Sequence, residues 1–356
     1  MSAPQTLPRL PFLGRSAELN ELRARLERAR SGSGGVVVLA GDPGVGKSRM
    51  MAVLADEARR SGWSVAVGRA YPLGSGDPYA LFADAFVPLL REIDAGRLTT
   101  LLRGAEGQLL QLFPALAAGR AHGTGEGSAD RTQLFWTFAE LLRGLAAKGP
   151  ALVFLDDLHW ADASSLELLH FLARQLAEAP VAIFGSLNDA HRDAHPTLNT
   201  TLQSLQSLGL LKQIRIGALD RETTDELVRE AFSIEQRVSR EFSAHLFGWT
   251  RGNPYFIEET LKSLVDSGRL RPHGGSWLGW EVAELEMPPT IRDAIRLRVA
   301  RLSPAAREVL ELVSVMSPRA GYDALRTLSE LDEAELVRAL DELCAAQVLV
   351  EGGDSR

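Results

Sequence analysis

The chain has 356 residues but only one cysteine, Cys344, so no internal disulfide can form. A lone thiol in an apolar helical stretch reads as a small core residue, and the low usage fits a reducing compartment. No apolar run approaches the ~20 residues that a membrane-spanning helix requires. The first ten residues, Met1 to Leu10, contain Pro and Arg but no signal-peptide core. These absences predict a cytoplasmic location and no membrane partner. Excess positive charge is missing too. The formal net charge of −7 argues against a broad nucleic-acid footprint on this chain, while leaving room for a local basic patch. Internal repeats and low-complexity tracts are absent. Lysine is scarce: of 39 Lys plus Arg, only Lys47, Lys148, Lys212 and Lys262 are lysine. What remains is ordinary for a globular protein, with 45% hydrophobic and 24% charged residues, and the length suits two or three domains.

One of those four lysines lies in the octapeptide Gly41-Asp-Pro-Gly-Val-Gly-Lys47-Ser48, which fits the phosphate-loop pattern G-x-x-x-x-G-K-[ST]. The apolar run Gly35–Ala40 leads into it and a helix-period stretch, Arg49–Arg60, leads out. Glycines at 41, 44 and 46 let the backbone curl until successive N–H groups face one anion. The helix that follows aims its N-terminus at the same point. Lys47 supplies a compact charge for the outer phosphates, and the Ser48 hydroxyl can ligate Mg²⁺. The expected nucleotide-binding set here is Gly41, Pro43, Gly44, Val45, Gly46, Lys47, Ser48 and Arg49. The bland alternative is a Gly-rich turn before a surface helix, and the flanking strand and helix argue against it.

The surrounding pattern alternates. Apolar runs at 35–40, 64–68, 151–155, 181–187 and 212–216 read as strands. Helical periodicity marks 15–30, 49–60, 78–90, 132–147, 164–177 and 198–208. Gly104–Asp130 is Gly/Ala-rich with few signals. The alternation predicts a three-layer α/β unit with a mostly parallel sheet. From Asp220 the strands stop. Residues 222–268 read as helical with a break at Gly252-Asn253-Pro254. Three more helices are expected near 290–302, 304–316 and 332–346, and an apolar strand at Gln347–Val350 follows them. Helices capped by a strand suggest a winged-helix-like module, cut short where the wing would turn back. The expected organisation is therefore a loose tail at 1–11, a phosphate-loop domain at 12–219, an all-α lid at 220–287 and a partial winged-helix module at 288–356.

A second catalytic element lies at Leu152-Val-Phe-Leu155-Asp156-Asp157, four apolar residues and then two carboxylates. After a phosphate loop, such a strand end places the first acid, Asp156, to hold Mg²⁺ opposite Ser48. The second, Asp157, can orient or polarise the attacking water. Two solvated acids at a strand end would be the reading if the loop were absent. A mononucleotide kinase shares the loop, but there the second acid is not expected.

Longer motifs extend these. Asp156-Asp157-Leu158-His159-Trp160-Ala161-Asp162 resembles the signature of the STAND-type ATPases of the AAA+ class. Phe12-Leu13-Gly14-Arg15-Ser16-Ala17-Glu18-Leu19 is similar to that family's opening motif, hydrophobic-Gly-Arg-x-x-Glu-Leu. Thr250-Arg251-Gly252-Asn253-Pro254-Tyr255-Phe256 resembles its Gly-x-Pro lid motif, and Pro289–Ile295 with Leu302-Ser303 resembles the helices that follow. The match takes in about residues 12–350 and looks most like the ATPase module of large ATP-binding LuxR-type transcriptional regulators. The resemblance implies an AAA+/ASCE-type fold and a switch rather than a motor. ADP would hold the modules closed, and ATP, often with an inducer, would open them and permit self-association. It also implies that Pro254 packs near the adenine and that Leu13, Gly14 and Arg15 cover its other side. Gly252–Pro254 is equally a helix-breaking turn by sequence alone. His159 and Trp160 either shape the site or pack the turn that holds the two acids.

One position departs from the family pattern. The fourth strand is expected to end in an arginine, but Gly185-Ser186-Leu187-Asn188-Asp189 puts Asn188 there. Asparagine can hydrogen-bond a γ-phosphate without contributing charge. Arg192 is the other candidate for the role. The departure predicts ATP binding with slow turnover. Three functions compete: a signalling ATPase whose DNA-binding or sensor part lies beyond Arg356, a remodelling or loading ATPase acting on nucleic acid or protein, and a small-molecule phosphotransferase. The charge balance and the motif set favour the first.

Overall fold

The computed structural model describes residues 7–71, 78–93, 96, 101, 131–189, 195–234, 240–273, 276–280, 292–293, 296, 299–300, 302–316, 321–329, 331–345 and 349. The chain divides into two compact units, Phe12–Leu219 and Asp220–Arg356 with Met1–Pro11.

The first unit is a three-layer α/β phosphate-loop NTPase fold. Helix α1 (Ser16–Arg30) precedes β1 (Gly35–Ala40), α2 (Lys47–Arg60) and β2 (Ser64–Arg69). Then come α3 (Ala80–Arg91), α4 (Arg131–Ala146), β3 (Ala151–Asp156), a single 3₁₀ turn at Leu158–Trp160, and α5 (Ala163–Gln175). β4 (Val181–Leu187), α6 (Pro196–Ser207) and β5 (Leu211–Arg215) complete it. The sheet order is β2-β3-β4-β1-β5, and every pairing is parallel. Every residue of β3 and β4 is buried, as expected of unbroken Val/Leu/Ile/Phe runs covered on both faces. The edge strands β2 and β5 mix buried and exposed positions.

Two apolar layers flank the sheet. On one face Leu22, Met50, Leu54, Phe154 and Phe184 belong to the layer beneath α1 and α2. On the other, Phe138 of α4 meets Phe82 and Phe86 of α3 edge to face, in the layer that also holds Leu155, Leu158 and Leu166. The order has one consequence for function. β4 separates β1 from β3, so the phosphate loop and the acid pair leave the same edge of the sheet with the end of β4 between them.

The second unit begins with α7 (Arg221–Ala231), α8 (Arg240–Thr250) and α9 (Pro254–Asp266). Asp220 caps α7 through the Thr223 N–H at 2.7 Å, and Asn253 caps α9 through the Tyr255 N–H at 3.1 Å. The expectation that strands stop after Asp220 needs correction. β6 (Arg271–His273) and β7 (Ser276–Leu278) pair antiparallel. Three residues per strand leave no alternation to detect. Aromatic packing fixes the hairpin: Trp277 and Trp280 each meet Phe232 edge to face, and Trp280 also meets Phe242.

Further on, α10 (Pro304–Val315), α11 (Tyr322–Leu328) and α12 (Glu333–Ala345) share a core of Leu302, Val309, Leu325, Leu336 and Leu343. Glu342 ties α12 to the start of α10, accepting 2.7 Å bonds from both the Ser303 N–H and its hydroxyl. The seven-residue α11 was not expected, and Cys344 is exposed on α12 rather than part of the core. The Gly104–Asp130 stretch, Pro289–Ile291, most of Gln347–Val350 and Arg192 lie outside the described residues.

Candidate functional site

The phosphate loop is shaped by backbone. Ala40 O accepts the Ile216 N–H at 2.8 Å, which holds the end of β1 against the segment after β5. Gly41 follows with φ 156°, and a Cβ there would lie 2.2 Å from Ile216 O, so only glycine permits this approach. Val45 is buried in the sheet–helix layer and anchors the middle of the loop. Gly46 caps α2 in the left-handed region at φ 97°. No side chain caps α2, unlike α5, α6, α7 and α9. A helix N-terminus free of a capping side chain, entered through a glycine turn, suits an anionic phosphate. Pro43, Gly44 and Ser48 are exposed on the loop and the first turn, and Arg49 is half-buried.

Lys47 is buried, and its ammonium donates to Gly41 O at 2.7 Å and Asp42 O at 2.8 Å. Burial pulls its pKa down; Asp157, Asp156, Asp42 and Asp189 oppose that shift. Arg15 reaches the loop from the other side. Its guanidinium donates to Val45 O at 3.2 Å and Gly217 O at 2.5 Å, and pairs with Glu18 at 3.2 Å. It thus staples the loop to the chain that leaves β5. Leu13 is half-buried beside it in sequence, and Gly14 adopts φ 70°.

Asp156 closes β3 and is buried; Asp157 follows in the left-handed region at φ 58°, where Asp is better tolerated than most residues. Ser186 of β4 joins the two acids. Its hydroxyl donates to Asp156 Oδ1 and accepts the Asp157 N–H at 3.0 Å. The Asp157 carboxylate turns toward β2, where Arg69 donates through Nε at 2.9 Å and lies 2.8 Å away through its terminal nitrogen. Arg69 stands opposite Asp156 in the β2–β3 register. Desolvation and the neighbouring Asp156 raise the Asp157 pKa, while Arg69 and Lys47 pull it down. The Asp157 bond in turn raises the pKa of Arg69.

Asn188 is buried just past β4, and its N–H donates to Nδ1 of the buried His159 at 3.3 Å. His159 therefore couples the acid turn to the end of β4, and Trp160 stays partly exposed against its ring. Asp162 caps α5 through the Ser165 N–H at 2.8 Å. His195 Nδ1 accepts from the Leu198 N–H at 3.2 Å, which leaves Nε2–H to donate to Ala161 O at 3.1 Å. The whole Asp156–Asp162 turn is thus held from both sides.

Lys47, Asp156, Asp157 and Asn188 come together at neighbouring strand ends, as the sheet order requires. Pro254 opens α9 in the second unit. Sequence reasoning missed Ser186 and Arg69, although both sit in the last two residues of their strands. The groups that could face a divalent ion are hard oxygens, the Ser48 hydroxyl and the Asp156 carboxylate. Among the described residues no group of three His, Cys, Asp or Glu could hold a metal unaided. Mg²⁺ fits that set, because it is commonly bound by one or two protein oxygens and completed by phosphate and water.

Strand order, phosphate loop and acid pair define an ATPase module of the AAA+/ASCE type. Residues 11–184 match the family model described as the AAA ATPase domain. That region is an ATP-binding and ATP-hydrolysing domain. An uncharacterized protein of Rhizobium meliloti (strain 1021) is 24% identical over 367 residues, covering 94% of this chain and 32% of the relative. The chain therefore spans about a third of that relative's length. Among solved structures it is similar to Drosophila ORC bound to DNA, at TM-score 0.46 and 11% identity over 99% of this chain and 77% of that one. It is also similar to the Aeropyrum pernix ORC2 protein, at TM-score 0.42 and 13% identity over 96% and 88%. AMPPCP-bound DnaA from Aquifex aeolicus gives TM-score 0.43 and 14% identity over 93% and 77%. Among the described residues no helix is long and apolar enough to cross a membrane.

Proposed function

We propose that this ATPase module works as a nucleotide-controlled switch within a larger regulatory protein. Lys47 meets the outer phosphates, and Ser48 and Asp156 would hold Mg²⁺, which would supply positive charge against the phosphates when bound. Asp157 takes the proton of the attacking water. The water oxygen bonds to the γ-phosphorus, the bond to the β-phosphate oxygen breaks, and ADP and phosphate result. Asn188 offers a neutral hydrogen bond beside the γ-phosphate, which favours slow turnover. The reading assigns Leu13 and Gly14 to one side of the adenine and Pro254 to the other, on the strength of the motif resemblance.

The observation that carries the switch is the Arg69–Asp157 pair. Arg69 neutralises the carboxylate that must accept the proton, so hydrolysis requires that pair to loosen. A site that binds nucleotide readily but hydrolyses only after a side-chain rearrangement dwells in its ATP form. Two long-lived nucleotide states are what a switch needs. Self-association in the ATP form, an inducer, and DNA contact through another part of the protein complete the proposal. The test is to identify the nucleotide that co-purifies with the chain and to measure its mass in solution with ADP and with a non-hydrolysable ATP analogue. An ATP-dependent increase in mass with slow turnover is expected. Identical mass in both states would sink the switch.

A second reading is a remodelling or loading ATPase that acts on nucleic acid or protein. It is favoured by the completeness of the hydrolytic set: phosphate loop, two acids and a polar β4 end stand together. Turnover stimulated severalfold by single- or double-stranded DNA would select this reading over the first.

A further inference from the structure

The nucleotide site uses the C-terminal ends of β1 and β4. At their N-terminal ends lies a separate cavity of about 290 Å³, bounded by α1, the start of β1, β4 and the start of β5. About 13 Å of extended strand separates Val37 in its floor from Gly41 in the phosphate loop.

The register sets Phe184, Val37 and Lys212 side by side across three strands. The same sheet face carries Leu39 and Ile214 and is covered by helices. Strand alternation therefore calls for an apolar residue at 212, yet the chain places one of its four lysines there. Arg25 and Arg28 of α1 line the same cavity, and among the described residues no Asp or Glu lines it. The other arginines of this helix are paired, Arg23 with Glu57 and Arg30 with Glu27, as is Arg15 just before it with Glu18. Arg25 and Arg28 have no ion pair among the described residues. Lys212 lies 3.4 Å from Glu21, in a pair nearly half exposed on both sides. Arg28 also complements the C-terminal end of the α1 dipole, but Arg25 lies a turn too early for that. In a chain of net charge −7, a cavity lined by two arginines without ion pairs and a lysine, with no acid among its described lining residues, is set up for an anion.

We propose that this cavity binds a small organic anion. Arg25, Arg28 and Lys212 meet its charged group. Its volume sits near the lower end of small-molecule sites, so the ligand is smaller than a nucleotide. The site does not depend on how the ATPase is used.

Anilinonaphthalene sulfonate, an aromatic sulfonate, serves as the probe, and its uncharged relative phenylnaphthylamine as the control. The full chain is expected to bind the sulfonate saturably, in a manner that saturating ADP does not compete away. The double variant Arg25→Gln, Arg28→Gln is expected to weaken that binding about tenfold or more, because it removes charge-assisted contacts. Phenylnaphthylamine is expected to bind at least about tenfold more weakly than the sulfonate. Both arginines are at least partly exposed, so the variant keeps its fold, which an unchanged thermal midpoint verifies. Unchanged sulfonate affinity in the double variant, competition by ADP, or equal binding of the uncharged control would each overturn the proposal.

Discussion

The phosphate loop and the acid pair leave the same edge of one sheet, yet they are held in different ways. The loop is fixed by main chain. Gly41 passes within a Cβ's reach of Ile216 O, Gly46 turns into α2, and even Arg15 acts on it through carbonyls. The acid pair is fixed by side chains, with Ser186 bridging Asp156 and Asp157 and Arg69 holding the outer carboxylate. Main-chain geometry is costly to alter and ready before a ligand arrives. A side-chain ion pair that is 54% and 19% exposed at its two ends can be broken at little cost. On the proposed reading, binding is therefore built into this module, whereas hydrolysis is conditional.

Substitutions at the two halves separate those properties. Lys47→Ala removes the buried ammonium at the head of α2 that lies against the loop carbonyls. A loss of nucleotide affinity of about a thousandfold is expected, equivalent to ~4 kcal/mol. Titration with a fluorescent ADP analogue measures it, and an affinity within a few-fold of wild type would remove the phosphate-loop assignment. Asp157→Asn should leave that affinity nearly intact and lower kcat by about a hundredfold, the scale of a lost general base. Comparable damage to binding and turnover in this variant would erase the distinction between the halves.

Ser186→Ala tests whether the bridge is needed at all. It leaves the Asp157 N–H without its hydroxyl partner inside a wholly buried strand end, and a destabilisation of about 1–3 kcal/mol is expected in denaturant unfolding. An unfolding midpoint equal to wild type would show that the two acids hold their positions without β4.

The sequence announces the loop because its geometry is local. Glycine spacing, the run into β1 and the helix after it all lie within about thirty residues, and each requires a particular residue type. Asp156 and Asp157 are legible for the same reason, as carboxylates that end an apolar strand. Ser186 and Arg69 are not. Their roles arise because β4 inserts between β1 and β3 and because β2 flanks β3, and strand order has no local signature. The Trp277–Trp280 hairpin escaped notice because three-residue strands give no period, and α11 because seven residues behind Gly321 lack a side-chain cap. Cys344 misled in the other direction: an apolar neighbourhood in sequence does not fix which side of a helix faces inward.

The smallest expected effect is also the sharpest test of conditional hydrolysis. Desolvation and Asp156 hold the Asp157 pKa above the ordinary aspartate range, and Arg69 is the largest influence pulling it back. A general base works only when ionised, so turnover falls as pH drops through that raised value. Removing the guanidinium in Arg69→Gln takes away the restraint. The acid limb of the kcat profile should then move to higher pH, with ADP affinity unchanged. Near neutral pH two effects oppose each other: the carboxylate is released from its ion pair, but a smaller fraction is ionised. At high pH only the first survives, so the variant should equal or modestly exceed wild type there and fall below it in acid. Stability runs the opposite way with pH. A carboxyl whose folded pKa lies above its unfolded one binds its proton more tightly when folded, so its contribution weakens as pH rises between those values. Arg69→Gln should steepen that loss. A parallel drop in kcat at every pH, with no movement of the limb, would make Arg69 a structural residue and leave Asp157 free to act without any gate.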